Sequence, residues 1–573
     1  MYRPVLDSVG GSLALTALVA MLPLLTLFVL LGVLRMAAWK AAVVSLVISL
    51  LVAVVAYSMP VGQAIMAGVE GAAFGVFPIM WIVINGIWVY NMTVVTGHSD
   101  VLRRSFAKVS DDQRIQAIIV AFCFGALLEA LAGFGTPVAI TSVMLIALGF
   151  KPVKAAVVAL VANTAPVAFG TLAVPITTLA TVTGLPEHDL AQIVGRQTPL
   201  LALFVPMVLV FVIGKGRGVR QTLPATLTCG ITFAVAQFVC SNFVSTQLTD
   251  IVASLAAGAS LVLLLRVWHP ALAYVETPEA GTVASSGGTP ALAGARVGAS
   301  GSGSGSTGQG SSLAAELAAG DKGHHDSRGE VLRAYAPYII IIAVFSLAAL
   351  VTPLKDFLAE RTVAFQWPGL DLLTAEGKPS ALPTFNFNWL AAAGTLLVIS
   401  GLLSIPFTGI SGAKAFKAYL GTYNQLKFAI VTVMAVLGLA YVMNSSGQTA
   451  TLGIWMASIG SAFAILSPVL GWLGVAVTGS DTSSNSLFGA LQVSAANQVG
   501  LSPTLMAAAN SSGGVLGKMV SPQNLAIAAA AVGMSGKEGD IFRKVIGWSL
   551  GLLLVMCVLV FLQSTSVLSW MLP

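Results

Sequence analysis

Runs of about 20 apolar residues, each long enough to cross a bilayer as a helix, follow one another along nearly all of this 573-residue chain. Only 9% of its residues are charged and 57% are hydrophobic, whereas a soluble domain keeps about a quarter of its residues charged. Such a chain cannot cover a water-facing surface. It reads as an all-α polytopic membrane protein surrounded by lipid. The net charge of +6 does not point to nucleic acid, because the basic residues sit beside the spans, where they set topology. Cys123, Cys229, Cys240 and Cys557 are scattered through apolar segments without metal-ligand spacing, so no metal or cofactor is expected.

Against this background the stretch Thr478-Gly-Ser-Asp-Thr-Ser-Ser-Asn-Ser486 is conspicuous. It carries one carboxylate and seven hydroxyl or amide side chains between apolar flanks. At membrane depth such a run is tolerated only where it is buried in protein and lines a cavity.

Taken in order, Ser12–Leu34 and Trp39–Tyr57 are the first two spans, and the first is too long for a signal-peptide core. Pro60–Phe77 is Gly-rich, contains Glu70 and suits an interfacial or arm helix; Pro78–Thr96 is the third span. Gln116–Gly149 is interrupted at Ala132-Gly-Phe-Gly-Thr-Pro137, where two glycines and a proline oppose a continuous helix. A basic loop (Arg103, Arg104, Lys108, Arg114) precedes it and Lys151 and Lys154 follow, so it starts and ends on the same side. It is a re-entrant hairpin or two full spans, and the short returning arm, Val138–Gly149, favours the hairpin. Pro152–Thr181 is a span broken at Asn163-Thr-Ala-Pro166 and again near Gly170 and Pro175. Thr198–Gly214 is the next span, two more (about Thr222–Cys240 and Gln247–Leu265) end at Arg266, and residues 269–333 then form a flexible cytoplasmic linker in which Ser and Gly alternate. In the second half, a basic, semi-polar arm (Lys414, Lys417, Tyr419, Lys427) precedes the span Phe428–Met443. Leu452–Val477 then leads into the polar stretch and Leu487–Ala496 returns. Pro503–Gly533 is broken at Asn510-Ser-Ser-Gly-Gly514 and at Ser521-Pro-Gln-Asn524.

The two broken spans superpose at a constant offset of 347: Ala162-Asn163 falls on Ala509-Asn510, Thr164 on Ser511, Gly170 on Gly517 and Pro175 on Pro522. The same offset sets Gly133-Phe-Gly-Thr136 on Ser480-Asp-Thr-Ser483. The order of elements also repeats, and the basic loops place the two copies in opposite orientations. The expected architecture therefore has about 12 transmembrane helices plus two re-entrant hairpins. Residues 1–214 form a first repeat, with a hairpin near 116–150 and a broken helix over 152–181. Residues 215–268 supply two connecting helices. Residues 334–573 form the second repeat, with a hairpin near 452–497 and a broken helix over 503–533. Inverted repeats with broken helices are the signature of secondary transporters, whose site lies between the repeats.

The segments Leu128-Glu-Ala-Leu-Ala-Gly-Phe-Gly-Thr-Pro137, Thr478-Gly-Ser-Asp-Thr-Ser-Ser-Asn485 and Ser512-Gly-Gly-Val-Leu-Gly-Lys-Met-Val-Ser-Pro-Gln-Asn524 closely resemble the bacterial L-lactate permease family, which includes glycolate permeases. The resemblance runs over nearly the whole chain. It implies uptake of short 2-hydroxymonocarboxylates (L-lactate, glycolate, D-lactate) across the bacterial plasma (inner) membrane by proton symport. The hairpin tips are also similar to those of dicarboxylate and citrate carriers, in which a rigid domain moves against a scaffold.

A 2-hydroxy acid needs donors at fixed geometry and little competing water. Half-helix N-termini attract a carboxylate through free N–H groups and a positive dipole end. Gly133, Gly135, Gly513 and Gly514 allow backbone to approach a small ligand. Thr136, Asn163, Thr164, Ser480, Thr482, Ser483, Ser484, Asn485, Asn510, Ser511 and Ser512 supply neutral donors, or else cap the broken helices. Lys518 balances a substrate charge or pairs with Asp481, unless it snorkels to an interface. Glu129 and Asp481, the carboxylates nearest the hairpin tips, are the proton-coupling candidates, with Glu70 a weaker one. All five histidines fall in expected loops or the linker, so a histidine relay is not expected. No nucleophile–base constellation at membrane depth suggests an enzyme. A sodium-coupled carrier and an uncoupled anion channel are the alternatives, and the sequence does not read out the oligomeric state.

Overall fold

A computed structural model describes every residue except 35, 108–109, 111, 134, 272–273, 275–325, 374–376, 378–379, 381–382 and 535–536. The Gly/Ser-rich core of the linker, with His324 and His325, lies outside the described residues. The described chain is almost wholly helical. Nine of its helical stretches are long and apolar enough to cross a membrane, joined by five shorter apolar helices. The helices are apolar on both faces, as a lipid-solvated bundle must be. On Glu538–Gln563, for example, Val545, Met556 and Val560 are buried while Leu554, Val555 and Val558 point outward.

Gly412–Ser446 is the long spine of one side of the molecule and packs against Ala38–Val55, Val61–Phe74 and Trp81–Val95. The close approach is made by glycine: a Cβ on Gly71 or Gly75 would run into the backbone at Leu437–Gly438 or Val433–Met434. This revises two expectations. The Gly-rich stretch Pro60–Phe77 is not a separate interfacial helix. It is part of one helical rod over 61–95 with a kink at Phe77 (φ −135°, ψ 121°). Its low hydrophobicity reflects contact with another helix instead of with water. The basic segment Lys414–Lys427 is likewise continuous with the following span, and Lys414, Lys417 and Lys427 project outward from one helix.

The extramembrane segment after Arg328–Leu350 folds as a short helix, Thr352–Ala359, and an antiparallel pair of strands, Val363–Gln366 and Thr384–Phe387. The Phe385 ring lies 4.4 Å from that of Phe74, which in turn lies 5.3 Å from Tyr441 of the spine, so the strands cap this helix pair. Tyr2 is bound into the same cap, its hydroxyl donating to the carbonyls of Tyr57 (3.0 Å) and Ser446 (3.1 Å).

The other side holds the hairpins and broken helices. Gln113–Leu131 descends to a break at Gly133 (φ 43°) and Gly135 (φ 82°), and Thr136–Ala147 returns. Positive φ at both positions needs glycine. The helix Pro152–Ala162 breaks over residues 163–169 and resumes as Gly170–Thr183. Glu187–Val239 bends at Lys215 (φ 55°), which separates the two spans expected there. Phe463–Thr478, with Gly479 in the left-handed region, turns into Asp481–Val499. Pro503–Gly517 is followed by a 3-10 turn at Lys518–Val520 and then Pro522–Ala531.

The first hairpin is anchored by a buried ion pair the sequence had assigned to a basic loop. Arg114, 1% exposed, grips Asp112 through Nε (3.0 Å) and Nη2 (2.6 Å), and its Nη1 donates to Gln221 Oε1 (2.6 Å). Arg114→Ala leaves Asp112 buried without its cation. We expect a loss of about 3–5 kcal/mol, read as an earlier unfolding transition of the detergent-solubilised protein; an unchanged transition contradicts it.

Candidate functional site

The tip of the second hairpin is where local sequence and tertiary structure meet. Ser480 is extended (φ −140°, ψ 124°), and its hydroxyl accepts from the Ser483 N–H, so it caps Asp481–Val499. The first N–H groups of that helix, at Asp481 and Thr482, have no intrahelical partner and carry the positive end of its dipole. Both residues line a cavity of about 120 Å³.

The first half contributes Glu129, Gly170, Thr171 and Pro175 to the cavity wall, and the second contributes Thr478 through Ser483, Lys518 and Gln523. The spine closes it with Ala429, Thr432 and Val433. Lys518 and Glu129 form a salt bridge across it, both side chains almost fully buried. Asn163 Nδ2 donates to the other carboxylate oxygen of Glu129 at 3.0 Å. Thr171 reaches the cavity from a left-handed turn, Thr171–Leu172–Ala173 (φ 48°, 55° and 61°). Such backbone costs roughly 1–2 kcal/mol per residue, so burial of all three side chains must hold it.

Asp481, 3% exposed, is held from behind: Ser511 Oγ donates to its Oδ2 at 2.6 Å and Asn485 Nδ2 at 3.4 Å. Its Oδ1 meets no donor among the described residues. Asn485 Nδ2 also donates to the Pro175 carbonyl (3.1 Å), which ties the second hairpin tip to the first broken helix. Asn485 Oδ1 accepts from Asn510 Nδ2 (2.9 Å), whose Oδ1 accepts from Gln492 Nε2 (3.1 Å). The crossing is mutual, because Gly135 at the first tip lies against Asn524 and Ile527 of the second broken helix.

The structure thus divides the expected site residues. Glu129, Ser480, Asp481, Thr482, Ser483 and Lys518 line the cavity. Asn163, Asn485, Asn510 and Ser511 stand behind it and hold those that do. Thr164 bonds back to the Val161 carbonyl, and Ser484 to that of Gly471. Ser512 is buried with no partner among the described residues. Thr136 opens the returning arm of the first hairpin. Gly133 sits under Thr171, Gly514 under Asp481, and Gly513 against the backbone of Pro468. Lys518 is paired with Glu129 and not with Asp481.

The expected break at Asn510–Gly514 is absent, and Pro503–Gly517 runs through it. Glycine keeps its N–H, and here both glycines are packed so closely that no side chain fits, so helix contact outweighs propensity. The break falls at Lys518–Ser521, just before Pro522. Sequence reasoning missed Thr171 and Gln523. Thr171 was within reach, since the offset of 347 sets it on Lys518.

Among the described residues no three His, Cys, Asp or Glu side chains are grouped to hold a metal ion. All four cysteines are buried, with Cys123 and Cys229 Sγ atoms 3.6 Å apart.

Comparison with known proteins agrees in class. The L-lactate permease of Bacillus subtilis (strain 168) is 39% identical over 591 residues, covering 100% of this chain and 99% of that protein. The glycolate permease GlcA of Escherichia coli (strain K12) is 40% identical, covering 98% and 97%. Among solved structures, Neisseria gonorrhoeae MtrF aligns with a TM-score of 0.46 at 13% identity over 88% of this chain and 84% of its own. The YdaH transporter of Alcanivorax borkumensis aligns at 0.45 and 14%, over 86% and 85%. The L-lactate permease family pattern matches residues 16–567, and this chain, a multi-pass bacterial membrane protein, belongs to that family.

Proposed function

We propose that the protein takes up short 2-hydroxymonocarboxylates, L-lactate together with glycolate and D-lactate, across the plasma membrane by proton symport. The observation that carries this reading is the cavity of about 120 Å³ in which one buried cation, Lys518, is shared between a carboxylate and an open hydroxyl-lined space. A small anion fits that chemistry. Its carboxylate takes Lys518 and the first-turn N–H groups of Asp481–Val499. Its hydroxyl meets Ser480, Thr482, Ser483 or Thr171. Most of these donors are neutral, so the anion can leave again.

Proton coupling follows from the ion pair. When the anion draws Lys518 away, Glu129 keeps only Asn163 and would be a poorly compensated charge in a dry interior. Taking up a proton removes that penalty. Anion and proton together add no net charge to the moving unit. Asp481, with its bare Oδ1, is the second candidate for the proton. Alternating access then has the hairpins and broken helices move against the spine that closes one wall of the cavity.

Purified protein in sodium-free liposomes with an alkaline interior should accumulate labelled L-lactate above equilibrium and acidify the lumen. Glycolate and D-lactate should compete, and dicarboxylates should not. Glu129→Gln or Asp481→Asn should abolish the accumulation. Uptake that needs sodium, current without lumenal acidification, or undiminished pH-driven uptake in both variants overturns the reading.

A further inference from the structure

Outside the cavity, the carboxyl of Asp250 has no role in what precedes. Asp250 is fully buried in the first turn of Thr249–Leu264, a helix packed against Gly125–Ala132, which carries Glu129. Its Oδ1 accepts from Gln237 Nε2 at 2.9 Å, and its Oδ2 meets no donor among the described residues. It does not cap its own helix, since its bond is to a side chain on Glu187–Val239. A buried carboxylate with one hydrogen bond at membrane depth is costly, and such groups are usually functional.

Gln237 connects it to the site. Its Nε2 also lies 3.5 Å from the Ala165 carbonyl, inside the break over residues 163–169, and its Oε1 lies 3.4 Å from Thr198 Oγ1. Two residues before Ala165, Asn163 donates to Glu129. The same broken segment is therefore tied at one point to Glu129 and at another to Gln237 and Asp250.

Glu129 acts electrostatically on Asp250, and Asp250 in turn acts on the Cys240 thiol of Cys240–Val244. Among the other elements packed on its helix, Ile118–Phe124 carries Cys123, which faces Cys229 of Glu187–Val239. Gly170–Thr183 carries no acidic or basic residue. Glu187 accepts from Gln247. Arg328–Leu350 has its charged residues, Arg328, Glu330 and Arg333, in its first two turns, and its Tyr338 is engaged with Tyr90 and Thr93.

We propose that Asp250 is a second proton-holding carboxyl of the transport cycle, linked to Glu129 through Gln237 and the broken segment 163–169. Two like charges in one dry interior oppose each other, so the pair is most stable sharing a single proton. Binding of the anion at Lys518 then draws that proton to Glu129, and Asp250 takes up a replacement from the outer side. When the anion leaves on the inner side, Lys518 returns to Glu129, which releases its proton with the anion. One proton is bound outside and one released inside per cycle, and Asp250 is left protonated for the next. The inference rests on the proton-symport reading above.

The test compares Asp250→Asn, Asp250→Glu and the unmodified protein in the same liposomes. Asparagine imitates the protonated carboxyl, so exchange of labelled for unlabelled lactate should persist at the same order of magnitude. Accumulation driven by the pH gradient should fall at least about tenfold, a coupling loss of ordinary size. Asp250→Glu should restore much of it. Normal accumulation by Asp250→Asn overturns the proposal. So does loss of exchange together with accumulation, which makes the residue structural. If the unmodified protein itself ignores the pH gradient and responds to sodium, the symport reading fails, and this inference fails with it.

Discussion

Lys518→Met protein should take up L-lactate roughly 30- to several-thousand-fold more slowly than the unmodified protein, because truncating one partner of a buried hydrogen-bonded charge pair costs about 2–5 kcal/mol. Two losses combine. The substrate carboxylate loses the ammonium that lines the cavity, and Glu129 is left buried with only Asn163 as donor. The two separate in a double variant. Glu129→Gln combined with Lys518→Met removes both charges, and replacing a whole buried pair by neutral groups is often close to neutral for stability. The double variant should therefore regain much of the thermal stability lost in Lys518→Met while remaining inactive. Normal uptake by Lys518→Met would remove Lys518 from the site. Recovery of uptake in the double variant would mean that the lysine serves only to neutralise Glu129.

Gly513→Val should be the most damaging single change away from the cavity. Pro503–Gly517 and Phe463–Thr478 approach through reciprocal glycines. A Cβ on Gly513 would enter the backbone of Pro468, one on Gly517 that of Trp472 and Ala476, and one on Gly471 that of Asn510. Small residues at a spacing of four let membrane helices pack at backbone distance, where dispersion and not water exclusion supplies the association. Forcing them apart costs typically about 1–3 kcal/mol, and more where backbone must move. Here the shift would also displace Ser511 from Asp481 and Asn510 from Asn485, so transport should fall with stability. The contrast is Gly547, in a helix interior with open space around its Cβ position. Gly547→Ala should leave uptake unchanged and raise stability by about 0.5–1 kcal/mol. Thermal unfolding of the three proteins in one detergent decides it. Equal stability for Gly513→Val and the unmodified protein would contradict the packing argument.

Local composition already specified much of this protein. Charge-poor apolar runs dictate a helical membrane protein, because no other element in this chain satisfies its backbone in lipid. Gly133 and Gly135 mark a turn that only glycine can make. Ser480 before Asp481 marks a helix start, and Pro522 marks the end of the turn before it. These are signals of a few adjacent residues, and they were legible. Where glycine acted through contact, the same signal misled: Gly513 and Gly514 read as a break and are a packing face, and the Gly-rich stretch before Phe77 read as interfacial and is buried on the spine.

The sequence by itself determined the class of protein, the polar tips and the set of side chains from which a site could be built, because hydropathy and turn chemistry are local properties. Only the tertiary structure decided which hydroxyls face the cavity and which hold up its wall. It also decided that Lys518 takes Glu129, 389 residues away, in place of the nearer Asp481, and that Asp250 belongs near the same centre. Pairings of this kind depend on how two crossed hairpins meet, and a linear order of residues does not carry the distance between them.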